Sequence, residues 1–172
     1  MNFSNIKPKY LETEKIQSSQ TDDEYQKITY KDKPFDFIMK DVKIFVSLVK
    51  HEKSTQIKYK IKLESDEIFE KMNTIMKKLN IDEDKYIVYK SDKNDKKYLT
   101  FSEFFNGYIL TDFYDENKKI LDFETPEEIK RYFKRAICNI LVRFSIIKAN
   151  GYMKVEIKQT RVTSKIDQEC IV

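Results

Sequence analysis

From Val42 the chain alternates. Val42, Ile44, Val46 and Leu48 fall on one side, and Lys43, Phe45, Ser47 and Val49 on the other. A polar stretch, His51 to Thr55, interrupts the pattern, and a second run places Ile57, Tyr59, Ile61 and Leu63 opposite Lys58, Lys60 and Lys62. Period 2 on both sides of a short polar loop predicts an antiparallel hairpin, residues 42–49 with 56–63. A second alternation, Ile140, Val142, Phe144 and Ile146, then Met153, Val155 and Ile157, surrounds Asn150-Gly151. A two-residue Asn-Gly turn predicts a hairpin of 140–148 with 153–162, pairing Ile146 with Val155, Phe144 with Ile157 and Arg143 with Lys158.

Between the hairpins the period changes to 3 and 4. Ile68, Phe69, Met72, Ile75, Met76 and Leu79 form one stripe behind Ser65, with Asp66 and Glu67 in the first turn, which predicts a helix over 66–79. Thr125-Pro126-Glu127-Glu128 carries a capping box with Pro at the first helical position, and Ile129, Tyr132, Phe133, Ala136 and Ile137 extend the stripe to a helix over 126–137. Tyr86 to Tyr89 reads as a short strand and 92–97 as a charged loop. Residues 98–123 are rich in Phe and Tyr without a single period. Strand signals near Ile28-Thr29-Tyr30 pause at Lys33-Pro34. Residues 1–25 show no sustained period, so a flexible N-terminal arm (1–25), one domain (26–163) and a flexible tail (164–172) are expected. The fold class this implies is α+β: a mainly antiparallel sheet with two amphipathic helices.

Charge sharpens the picture. The net charge is only +4, but residues 27–62 hold ten Lys against four acids, whereas 64–128 hold ten Lys against seventeen acids. Residues 129–165 return to strongly basic, with ten Lys and Arg against Glu156 alone. Two basic blocks, both on predicted strands, make one strongly positive sheet face if they share a sheet. Lys outnumbers Arg 29 to 4 and Asn, Ile and Tyr are frequent, as an AT-rich coding bias would also produce.

Catalytic chemistry is sparse. Two isolated glycines, Gly107 and Gly151, give neither a P-loop nor a dinucleotide fingerprint, and the one histidine, His51, sits in a loop. Cys138 and Cys170 lack zinc spacing and suggest no disulfide framework, which fits a reducing, cytoplasmic setting. No apolar run reaches membrane-spanning length, and Met1 to Asn5 lacks the features of a secretory leader, so no membrane partner is expected. No cofactor is expected. One catalytic pattern remains: Glu156-Ile157-Lys158 has the E-x-K spacing of metal-dependent nucleases, with Asp112, Asp115 and Asp122 as upstream candidates and Glu116 in the same acidic stretch. In a Lys-rich chain that spacing is common, and an acidic loop accounts for the carboxylates.

Single-stranded nucleic acid needs a cationic track for phosphates and flat side chains on which bases stack. The outward faces of the two hairpins offer Lys43, Lys58, Lys60, Lys62, Arg143, Lys154 and Lys158, with Phe45, Tyr152, Tyr89 and Tyr86 as stacking candidates. A plainer account makes the lysines a solvated sheet face and the aromatics core filling in a chain without Trp. The segment Val142 to Val162, with its Asn150-Gly151-Tyr152-Met153-Lys154 turn and its Gln159-Thr160-Arg161-Val162 ending, resembles the closing hairpin of OB-fold single-stranded-DNA-binding proteins of viral replicons. The AT-rich character is similar to proteins of yeast cytoplasmic linear plasmids. The resemblance implies an OB-like β-barrel, sequence-nonspecific binding of single-stranded DNA in replication, no enzymatic activity, and contacts with replication proteins or further copies of the chain. The ending Glu169-Cys170-Ile171-Val172 departs from the acidic, Phe-ended tail of the bacterial relatives. The runner-up is a protein-interaction subunit of a virus-like element.

The absence of an assembled catalytic motif predicts that the purified protein leaves DNA intact with Mg²⁺ or Mn²⁺. Cleavage lost on Glu156→Ala or Lys158→Ala would instead establish the E-x-K reading.

Overall fold

A computed structural model describes residues 1–17, 24–107, 109–134 and 136–165, the last without the side chain of Lys165. Its longest element is β3 (Lys33–Lys50), which serves two sheets. The first half pairs antiparallel with β9 (Ala136–Ile147), from Phe35↔Phe144 to Lys43↔Ile137, and the second half with β4 (Thr55–Leu63), from Ile44↔Ile61 to Lys50↔Thr55. The changeover is a bulge between Met39 and Val42, where Asp41 takes φ +51°. Asp is among the few side-chain-bearing residues that tolerate this conformation. Its N–H donates to Asn139 Oδ1 at 3.0 Å, so the backbone group displaced from the ladder is satisfied.

Around β3 the described residues form ten strands: β1 (Leu11–Gln17), β2 (Glu24–Tyr30), β5 (Val88–Lys90), β6 (Lys97–Phe105), β7 (Asp112–Tyr114), β8 (Ile120–Leu121) and β10 (Met153–Lys165) with the three above. The order is β5-β6-β4-β3-β2-β9-β10-β7-β8, with β1 on the far edge of β2. Every pairing between strands is antiparallel except β7 with β10, which is parallel over three residue pairs. The protein is therefore α+β with a mostly antiparallel sheet. That sheet is not closed into a barrel: β6 and β10 approach one another without pairing. Among the described residues no helix is long and apolar enough to cross a membrane.

The helices form where their caps direct. In α1 (Asp66–Lys78) Ser65 Oγ accepts from the Ile68 N–H at 3.3 Å, and Met72, Ile75 and Met76 are buried. The Thr125–Glu128 capping box starts α2, which spans Pro126–Tyr132 rather than running to 137. Ala136 and Cys138 instead begin the alternation continued by Ile140, Val142 and Phe144, and all five are buried on one face of β9. Ala136 fits both periods, and burial of the longer two-residue repeat decides.

Two turns differ from expectation. The pause at Lys33-Pro34 is the return of a β2–β3 hairpin whose turn residues, Lys31 (φ +51°) and Asp32 (φ +61°), both take positive φ without glycine. At the closing hairpin only Gly151 (φ +82°) takes positive φ, so the turn is a three-residue loop. The Gly151 N–H donates to the Lys148 carbonyl at 2.8 Å, and Lys148 N–H to the Tyr152 carbonyl at 2.9 Å. The pairs become Ile147↔Met153 and Ile146↔Lys154. After a bulge at Lys154/Val155 they are Phe144↔Val155, Arg143↔Glu156 and Val142↔Ile157, not the register a two-residue turn dictates.

The N-terminal segment is no free arm as far as it is described. Residues 3–5 and 8–10 form short 3₁₀ turns, β1 follows, and Phe3, Ile6 and Leu11 are buried. Phe3 lies 5.1 Å from Phe37, in a cluster with Phe35 and Phe144. Lys71 Nζ donates to the Ser4 carbonyl at 2.7 Å, and Ile38 N–H to that of Met1 at 2.7 Å. Three apolar anchors at irregular spacing give no period, yet each fills the core. At the other end β10 includes Ser164 and Lys165, so the strand runs two residues into the expected tail. Residues 18–23 of the expected arm and 166–172 of the expected tail lie outside the described residues. Phe3→Ala is expected to cost about 3–5 kcal/mol in chemical denaturation; an unchanged midpoint would restore the arm.

Candidate nucleic-acid interface

On β4, alternation buries Ile57, Tyr59, Ile61 and Leu63 and turns Lys58, Lys60 and Lys62 outward, with Lys62 half-buried. The registers then fix what stands beside each lysine. Lys60 lies between Phe45 of β3 and Thr100 of β6, and Lys58 between Ser47 and Ser102. Lys62 faces Tyr98, which in turn pairs with Tyr89 of β5. Lys60 Nζ sits 5.4 Å from the ring centroids of both Tyr89 and Tyr98. The two tyrosine rings are 5.6 Å apart, and Phe45 meets Tyr98 edge-on at 6.4 Å. Phe45 is 49% exposed. The face is thus a cation embedded among three rings, with Lys58 adjacent. At its far end Phe104 is 54% exposed and lies 5.8 Å from His51.

Reading the sequence alone misses Tyr98 and Phe104. The signal was present: Tyr98, Thr100, Ser102 and Phe104 alternate with Leu99, Phe101, Glu103 and Phe105. Aromatics on both faces hid it.

The residues of the second basic block are less uniformly available. Arg143 stands opposite Asp36 and is held by a bidentate ion pair, Nε–Oδ1 2.6 Å and Nη2–Oδ2 2.6 Å. That hydrogen-bonded pairing raises the guanidinium pKa and satisfies its fork, so Arg143 is a cross-strand clamp rather than an open phosphate ligand. Lys154 pairs with Glu156 at 3.1 Å and Lys62 with Glu64 at 2.8 Å, on surfaces where such pairs are weak and exchangeable. Tyr152 is 53% exposed at the hairpin loop, with Lys85 Nζ 5.8 Å from its ring. Lys43 is half-buried and lines a separate groove beside α2, together with Phe45, Lys130 and Arg131.

A cleft of about 610 Å³ joins the two halves where β6 and β10 fail to pair. Ser102 and Phe104 line it from β6, and Tyr152, Lys154 and Lys158 from the hairpin side. Glu103 lies at its base. Tyr59 Oη donates to Glu103 Oε1 at 2.5 Å, and the Thr111 hydroxyl lies 3.3 Å from the same oxygen and 2.8 Å from the Ile157 carbonyl. Burial pushes the Glu103 carboxyl up from its usual range, against the opposing pull of the two hydroxyls. Burial, with the nearby Glu103 charge, likewise keeps Tyr59 protonated well above the usual phenol range.

The nuclease candidates take other places. Asp112 pairs with Gln159 across β7 and β10, and Asp115 Oδ1 accepts from the Asn117 and Lys119 N–H groups at 2.8 Å each, closing a turn. Among the described residues no three His, Cys, Asp or Glu side chains group as metal ligands. Cys138 is buried and its thiol is pushed up to about 12, which makes it an inert core residue. The chain matches no family model, no curated protein and no solved structure.

Glu103 gives a pH test. Its pKa is raised on folding, so the stability it contributes is full below the unfolded carboxylate value and is lost as pH rises through the folded value. Glu103→Gln removes that loss. The variant is expected to gain stability relative to the parent on going from about pH 4 to about pH 8, read from urea midpoints; a pH-independent difference would contradict the burial.

Proposed function

We propose that this protein binds single-stranded nucleic acid, DNA in preference, without sequence selectivity and without catalysis, in a cytoplasmic replication setting. The observation that carries the reading is the cluster of exposed Lys60 and Phe45 with half-buried Tyr89 and Tyr98, beside exposed Lys58. Phosphates meet the lysines and bases stack on the rings. The track then runs past Phe104 and across the cleft to Tyr152, Lys154 and Lys158. Arg143 is left out of it.

Connectivity supports an OB-like reading of the fold. The long, bent β3 pairs with both β4 and β9, β4 pairs with β6, α2 precedes the β9–β10 hairpin, and β7 pairs parallel with β10. In an OB-type, partly open barrel the outer face of the second and third strands and the flanking hairpin loops take oligonucleotides. The corresponding parts here are β4 and β6, the loop at His51 to Ser54 and the loop at Lys148 to Tyr152.

Titration of poly-dT at several salt concentrations tests the reading. Replacing Lys58 and Lys60 by Ala is expected to flatten the log–log salt slope by about 1.4, at about 0.7 per phosphate contact. Tyr98→Ala is expected to weaken binding by about 1–3 kcal/mol with the slope nearly unchanged. Lys77 and Lys78, exposed at the end of α1, are the charge control. Equal losses from their removal would reduce the attraction to diffuse charge.

A further inference from the structure

Pairing of β3 with β9 ends at Lys43↔Ile137, and from Ile44 to Lys50 the strand has a ladder on its β4 edge alone among the described residues. Along the other edge, between β3 and α2, runs a groove of about 960 Å³. Four consecutive residues, Lys43 to Val46, line it. Successive side chains on a strand point to opposite faces, so a groove touching all four follows the edge itself and not one face. Val46 and Leu48, on the face where Ile44 is fully buried, are only partly covered here. The rim is basic: Lys43 and Lys50 from β3, Lys130 and Arg131 from α2 and Lys134 from the turn after it, against Glu127, which lies 3.5 Å from Lys50.

We propose that this groove docks an acidic, apolar peptide in extended form as an added strand on the open edge of β3. The unpaired main-chain groups of residues 44–50 provide the ladder, about 23 Å at roughly 3.3 Å per residue. Alternate apolar side chains of the peptide cover Val46 and Leu48, and the intervening carboxylates meet the five cations. The aliphatic part of the wall is Ile44, Val46, Leu48 and Ala136, and Phe133 is 2% exposed; Phe45, 49% exposed, is an open ring, but the open strand edge beside it favours a peptide over nucleic acid. A second copy of β3 is disfavoured because Lys43 and Lys50 would bring like charges to the new pairing. The site shares Phe45 with the stacking face but uses other cations than Lys58 and Lys60, and it does not depend on that reading.

The experiment is fluorescence anisotropy of the intact protein with a labelled octapeptide, Glu-Val-Asp-Ile-Glu-Val-Asp-Ile. Two analogues accompany it: one with Lys at every acidic position, and one N-methylated at alternate residues. The acidic peptide is expected to bind at least about tenfold more tightly than the Lys analogue, and N-methylation in the edge-facing phase is expected to abolish binding. Lys130→Glu with Lys134→Glu is expected to lose peptide binding about tenfold while poly-dT binding through Lys58 and Lys60 persists. Should that charge reversal disturb folding in a thermal melt, the N-methyl series on the unaltered protein decides alone. Equal affinity for the Lys analogue, or indifference to N-methylation, overturns the proposal. So does displacement of the peptide by oligo-dT, which would make the groove part of the nucleic-acid track, or a concentration-dependent dimer that excludes the peptide.

Discussion

At Asp41 the backbone turns to φ +51° and two residues drop out of the β3–β9 ladder between Met39 and Val42. Much of the architecture depends on that bulge. A straight strand of eighteen residues would keep its partner along its whole length; a bulged one bends, twists and changes partners. Before the bulge β3 holds β9 and the Phe35–Phe37–Phe144 cluster, and after it β3 holds β4. The same change of partner leaves the edge of residues 44–50 without a ladder among the described residues and sets β6 opposite β10 with a cleft between them. Asp41 is satisfied on both sides, its N–H by Asn139 and its carboxylate by the Thr163 hydroxyl at 3.4 Å.

The basic residues divide by what surrounds them. Arg143 is neutralised in place by Asp36 and stitches β3 to β9. Lys58 and Lys60 have hydroxyls and aromatic rings as neighbours in the register rather than carboxylates, so they hold field that a polyanion can use. Lys130 and Arg131 of α2 overlook the groove in which Ile44, Val46 and Leu48 lie instead. Three sets of positive charge thus differ in the side chains beside them: a carboxylate, hydroxyls with aromatic rings, and a groove wall.

The hairpins and helix starts were legible because their signals are local: period 2 in residues 42–63 and 140–157, and Ser65 and Thr125 as caps. The inward–outward assignment of Lys58, Lys60 and Phe45 followed from the same alternation. What the sequence hid was non-local. Phe3, Ile6 and Leu11 have no period, so their docking depends on a core assembled from distant strands. The Asp36–Arg143 clamp joins residues 107 positions apart. The Asn150-Gly151 register failed because one positive-φ residue, not two, makes that turn. Lys130 and Arg131, remote from Phe45 in sequence, line the same groove.

In the proposed function, bases stack on the β4–β6 face around Lys60. Photocrosslinking of the intact protein to a 5-iodouracil-substituted oligo-dT, with adducts mapped by mass spectrometry, reads stacking directly. Adducts on Tyr89, Tyr98 and Phe45, with Phe104 or Tyr152 on a longer oligonucleotide, are the predicted result. Adducts confined to rings away from this face, such as Tyr10 or Tyr114, or none at low salt, would contradict it.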